Sequence, residues 1–163
     1  MELWDAYDAD FNKIEGITLI RDQPIPDGCC HLLCDFMVKH RDGSYLLMKR
    51  DERKHFGGKW ELSGGGSAIQ GEDPLTAVNR ELKEETGITA EEITELGRNS
   101  CPERHYISVE YLVVTGMQKD AVTLQEGETV DYRWESAKTV AAMPADELVT
   151  HRMQQYIAEL RRK

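Results

Sequence analysis

No run of apolar residues in this chain of 163 approaches the ~20 that a membrane-crossing helix needs. The opening MELWDAYDAD is too acidic for a secretory leader, so the cytoplasm is the expected compartment. Basic residues are scarce as well: 20 Lys and Arg face 30 Asp and Glu, a formal charge of −10. Binding along a nucleic-acid backbone takes a basic stripe, which excludes a duplex as partner, whereas a small anionic ligand remains compatible if a cation masks the acids. Cys29, Cys30, Cys34 and Cys101 lack a paired CxxC, so zinc is disfavoured despite His31 beside them, and reduced thiols on a buried strand are expected. Repeats and low-complexity tracts are absent, and the length suits one domain over 1–163 with a substantial core.

What the chain does hold is a concentration of acid in residues 66–88, GSAIQGEDPLTAVNRELKEETGI. Asp73 suits an N-cap, Pro74 the first helical position and Gly87 a terminator, which predicts a helix over 74–86. Leu75, Val78 and Leu82 are its expected buried stripe, and at about 100° per residue Glu81, Glu84 and Glu85 fall beside that stripe. Carboxylates in the last turn meet the negative end of the helix dipole at a cost of roughly 0.3–1 kcal/mol each. Glu81 and Glu85 also repel one another at i, i+4. Arg80 can pair with Glu84 and Lys83 is near, but these two cations do not balance three acids and a dipole end. A divalent cation would: Mg²⁺ takes hard oxygen ligands, usually one or two carboxylates with waters and substrate phosphates. For an arbitrary ExxEE helix, a solvated acidic face is the commoner outcome.

The spacing then narrows the choice. Gly66, five residues, Glu72, seven residues, then Arg80-Glu81-Leu82-x-Glu84-Glu85-x-Gly87-Ile88 resembles the signature of the Nudix hydrolases, without a gap or a substitution. The resemblance implies an α/β fold, a Nudix-type α/β/α sandwich with a mixed β-sheet, that binds Mg²⁺ or Mn²⁺ and cleaves a diphosphate linked to another group. It further implies that Glu81, Glu84 and Glu85 are metal and base carboxylates, that Arg80 orients them, and that the carbonyl of Gly65 is a further metal ligand. Glu128, in the acidic loop before a strand, resembles a residue that some Nudix enzymes bring to the metal, with Glu126 as runner-up. The base stays open among these acids, since crowding raises and bound metal lowers their proton affinity.

The order LWDxYD, CHLL, LLMKR and GGKWELSGGG is similar to the branch nearest type I isopentenyl-diphosphate isomerases. In that branch a proton-donating cysteine and a metal-binding histidine are expected where this chain has Gly65 and Ser67. The expected function is therefore a Mg²⁺-dependent pyrophosphohydrolase, with a nucleotide or nucleotide derivative as the favoured substrate. An isomerase-like enzyme and a non-catalytic binding module are the alternatives, and a homodimer stays open. Arg50 and Lys59, among the cations flanking the glycine run, are candidates for the substrate's outer phosphate, and Trp60 is a candidate stacking residue for which packing is the alternative.

Along the chain, a strand is expected over 17–21, a loop over 23–28 and a central strand over 29–39. A turn at 41–44 leads to a return strand over 45–50, and a polar loop over 51–59 to a short strand over 60–62. The glycines at 64–66 allow close backbone approach. Strands are expected over 93–99, 105–115 and 130–135, the second of them covered on both faces, with an amphipathic helix over 146–161.

Overall fold

The computed structural model describes residues 1–162. Its elements are, in chain order, β1 (Leu3–Tyr7), β2 (Lys13–Ile20), β3 (His31–His40), β4 (Tyr45–Arg50), β5 (Trp60–Glu61), β6 (Gly64–Ser67), α1 (Pro74–Thr86), β7 (Glu92–Cys101), β8 (Tyr106–Thr115), β9 (Thr129–Glu135), α2 (Ala137–Ala141) and α3 (Arg152–Arg162). Alternation along β3 sends Leu32, Cys34, Phe36 and Val38 into the cluster beneath α1, while Met37 joins a second cluster beneath α2 and α3. Helices thus cover both faces of the sheet, which makes the α/β/α sandwich. β3 runs parallel to β8 and antiparallel to β6 and β4; β4 also pairs with β5 and β9, and β7 closes the far edge against β8. The sheet is mixed, and β8 is buried on both faces, as its apolar run requires. Among the described residues no helix is long and apolar enough to cross a membrane.

α1 begins and ends where its caps predict. The Asp73 carboxylate accepts the Thr76 N–H at 2.7 Å, and Gly87, at φ +71°, donates to the Lys83 carbonyl at 3.0 Å. The buried stripe is Ala77, Val78, Leu82 and Thr86. Leu75 shares the angular position of Leu82 yet is 50 % exposed, since periodicity gives an angle and not an axial depth.

Three elements differ from the sequence reading. Residues 3–20 form a hairpin, seated on a small cluster of Trp4, Ala6, Leu19 and Cys29; each strand's apolar alternation is too short to stand out. The glycine run is a strand, β6, pairing with Leu33–Phe36 of β3, although it carries no side-chain signal. The last helix starts at Arg152, because Leu148 is drawn into an extended bridge with Trp60, which a helix could not make, and α2 precedes it, capped by Ser136.

Candidate active site

The site forms where β6 passes under the C-terminal half of α1. A Cβ on Gly64 would stand 2.0 Å from Glu85 Oε2, one on Gly66 2.4 Å from the Glu81 carboxyl carbon, and one on Gly65 2.4 Å from Asp35 Oδ1. These glycines therefore make room for three carboxylates. Glu85 accepts one hydrogen bond, from the Gly65 N–H at 3.1 Å. Burial, with Glu61 and Glu81 nearby, pushes its carboxyl well above the ordinary range. Burial also raises Glu81, against the pull of Arg80.

Arg80 ties the loop before α1 to the helix. Its guanidinium donates to Glu72 at 2.8 and 2.9 Å, to Glu81 at 2.7 Å, to Glu84 at 3.3 Å and to the Ser67 carbonyl at 3.0 Å. Glu72 is held below the usual carboxylate range by that contact. Glu84 stays exposed at the rim, its side chain 48 % accessible. At Gly65 and Gly66 opens a cleft of about 380 Å³, lined by Glu81 and Glu85 of α1 and by Arg50, Lys54 and Glu128. Glu128 pairs with Lys54, and Arg50 with Glu61.

A second cavity, of about 470 Å³, opens beside the Gly64–Gly65 backbone and shares Leu33, Arg50 and Gly65 with the cleft. Phe56 and His55 flank it, and Asp35, Glu110 and Arg152 line it toward α3. Glu110 pairs with Arg152 and accepts from the Tyr156 hydroxyl; burial and the Glu110 charge push Asp35 up to about 7. Asp35 and Glu61 were missed in the sequence, although a carboxylate inside an apolar strand is itself a signal of a perturbed site.

The sequence profile of the NUDIX domain family matches residues 34–159, most of the chain and all of the helix and glycine strand just described. This chain belongs to the Nudix hydrolase family. It is 28% identical over 144 residues to an uncharacterised Nudix hydrolase of Listeria monocytogenes, covering 88% of this chain and 85% of that one. It is 34% identical over 98 residues to an 8-oxo-dGTP diphosphatase of Proteus vulgaris, covering 59% of this chain and 80% of the relative. DR0079 of Deinococcus radiodurans has the same fold, with a TM-score of 0.75 at 16% identity over 97% of this chain and 98% of that one.

In this Nudix hydrolase the residues singled out in the sequence separate into two groups. Gly65, Arg80, Glu81, Glu84, Glu85, Glu128 and Arg50 meet at the cleft. Lys59 and Trp60 do not line it: Lys59 lies over the Phe56 ring at 5.6 Å, and Trp60 is stacked by Arg133 at 4.4 Å. Successive strand residues face opposite ways, so in β5 it is Glu61 that turns toward the glycine strand. Glu126 is exposed in its loop, outside the lining. Among the described residues no three His, Cys, Asp or Glu side chains are gathered closely enough to cage an ion unaided. Two crowded, half-buried carboxylates on one wall fit a hard cation that takes its remaining oxygens from water and a phosphate, which is how Mg²⁺ is commonly held. Cys29, Cys30 and Cys34 are buried free thiols that do not line the cleft, Cys34 lying behind the glycine strand and pushed to about 12 by burial.

Proposed function

We propose that this Nudix hydrolase is a Mg²⁺- or Mn²⁺-dependent pyrophosphohydrolase whose substrate is a nucleotide or nucleotide derivative, and that the whole chain works as one domain. The observation that carries the reading is the glycine strand, shaped so that Glu81 and Glu85 stand side by side at a cleft flanked by Arg50 and Lys54. Glu81, Glu85 and the Gly65 carbonyl would hold the ion, with Glu84 beside them at the rim. Bound there, the metal would offset charge on the diphosphate oxygens and acidify a water. Arg80 keeps Glu81 and the preceding loop in place. Arg50 and Lys54 meet the phosphates once these compete with Glu61 and Glu128 for them. Glu84 and Glu128, both on the lining of the cleft, are the candidate bases for the water proton as the oxygen adds to phosphorus and the bridging oxygen leaves.

The second cavity supports a nucleotide. It adjoins the cleft, offers Phe56 and His55 as flat surfaces, and is lined by charged groups, Asp35, Glu110 and Arg152, that a prenyl chain would strip of water. The Proteus relative, an 8-oxo-dGTP diphosphatase, agrees with that choice. The free thiols agree with the cytoplasm as compartment. The test is a screen of purified protein with Mg²⁺ against nucleoside triphosphates, dinucleoside polyphosphates, nucleotide sugars, ADP-ribose and prenyl diphosphates, followed by Glu85→Gln on the best substrate. A fall in kcat of at least about a hundredfold with the fold intact is expected. Near-native turnover of Glu85→Gln would remove α1 from the chemistry.

A further inference from the structure

The N-terminal hairpin precedes the stretch shared with the family profile, which begins at residue 34, yet Glu2, Trp4 and Arg21 line the cleft. Leu3 pairs with Ile20, so Glu2 and Arg21 stand side by side at the open end of the hairpin. The Arg21 N–H donates to the Glu2 carbonyl at 3.0 Å, and its guanidinium pairs with the Glu2 carboxylate at 3.2 Å. The other oxygen of that carboxylate accepts the Trp4 indole N–H at 2.7 Å. The Trp4 ring stacks on His31 with centroids 4.5 Å apart, His31 Nδ1 lies 3.1 Å from the Ser67 hydroxyl, and the Ser67 carbonyl accepts from Arg80. A second set of ties docks the hairpin on the loop before α1: Gln70 N–H to the Leu3 carbonyl at 2.8 Å, and Gly71 N–H to Asp5 at 2.9 Å. On β2 the Gln70 side-chain amide donates to the Thr18 hydroxyl at 3.0 Å, so Arg21 is held in place relative to the catalytic helix by contacts on both strands.

We propose that the open end of this hairpin is part of the substrate site and that Arg21 binds the terminal phosphate of a substrate whose other end lies toward the second cavity. Of the cations on the cleft, Arg80 is committed to three acids, Lys54 to Glu128 and Arg50 to Glu61. Among the described residues Arg21 pairs with Glu2 and no other acid, although Asp22 beside it also lines the cleft, and its side chain is 52 % exposed, so most of its five donors are free for a phosphate. The direction follows from β6. Its Gly64–Gly65 end borders the second cavity and its Ser67 end borders the hairpin through His31, a separation of about 10 Å at roughly 3.3 Å per residue. A group in the second cavity thus leaves the far phosphate beside Arg21, where Trp4 and Glu2 form a wall. The substrate class is then a nucleoside polyphosphate ending in a free phosphate, in preference to a diphosphate capped by a second bulky group.

This inference rests on the diphosphate reading above, and its test is a binding measurement separable from turnover. Calorimetric titration with Mg²⁺ would use inorganic tripolyphosphate and pyrophosphate as probes on the wild type, Arg21→Ala and Arg21→Lys. The wild type is expected to bind tripolyphosphate more tightly than pyrophosphate. Arg21→Ala should weaken tripolyphosphate at least about tenfold and pyrophosphate by less than about twofold, with Arg21→Lys recovering part of the loss and the melting temperature unmoved. Equal wild-type affinity for the two probes, an unchanged tripolyphosphate affinity in Arg21→Ala, or equal weakening of both probes would each overturn the assignment. Failure of the underlying reading would show separately, as probe binding that survives the triple change of Glu81, Glu84 and Glu85 to Gln.

Discussion

Gly64 decides how near Glu85 can come to the floor of the cleft, and the reason is space. Its backbone is not in the left-handed region, so an alanine there strains no dihedral. The added methyl would instead stand 2.0 Å from Glu85 Oε2, and the carboxylate must move. Positioning errors of this size are costly in catalysis, because the preorganised charge no longer meets the transition state. Gly64→Ala is expected to lower kcat by at least about tenfold and to weaken Mg²⁺ activation, while the circular dichroism spectrum stays native. An unchanged Mg²⁺ dependence in that variant would mean that the glycine strand does not shape the site. In the sequence the same glycines read as permissive backbone, and that they face carboxylates is visible only once β6 lies against α1.

At the scale of the element, α1 carries its own penalty. Glu81 and Glu85 are raised by burial at the end of a helix whose dipole already disfavours them. A cation that binds only the folded state relieves this by mass action, about 1.4 kcal/mol at ten times its Kd. For a chain of this size that is a rise in melting temperature of roughly 3–6 °C. Thermal melts with and without millimolar Mg²⁺ are expected to show it, and the triple change of Glu81, Glu84 and Glu85 to Gln to abolish it without lowering the metal-free melting point. A wild-type-sized response in the triple variant would place the ion elsewhere. The limits of the helix were legible, since Asp73, Pro74 and Gly87 act on neighbours within four residues, while its buried stripe was legible in part, Leu75 being exposed. β6 and α2 were not, the first lacking side chains and the second being a single short turn.

Across the whole molecule, acids on both faces of the sheet are raised, Glu85 on α1 and Asp35, at about 7, on the face toward α3. A carboxyl whose proton affinity rises on folding stabilises the fold when protonated, and that contribution is lost as pH climbs through its folded value. Metal-free protein in EDTA is therefore expected to melt higher at pH 6.5 than at pH 8, and Asp35→Asn to flatten the difference. Below 6.5 His31 acts the other way, since burial lowers it to about 4 and its protonation then favours the unfolded chain. A melting point that falls from pH 8 to 6.5 would contradict this balance. The sequence by itself determined the family signature, the limits of α1, the order of the long strands and the acids of the cleft, because each depends on spacing within one element or on apolar period. Only the tertiary structure decided that Asp35 and Glu61 gather round Gly64 and Gly65, that Lys59 and Trp60 turn away, and that Arg21 comes to the cleft. Those placements follow from strand register and from the docking of the hairpin on the loop at 69–71, contacts between residues far apart in the chain that no local pattern encodes.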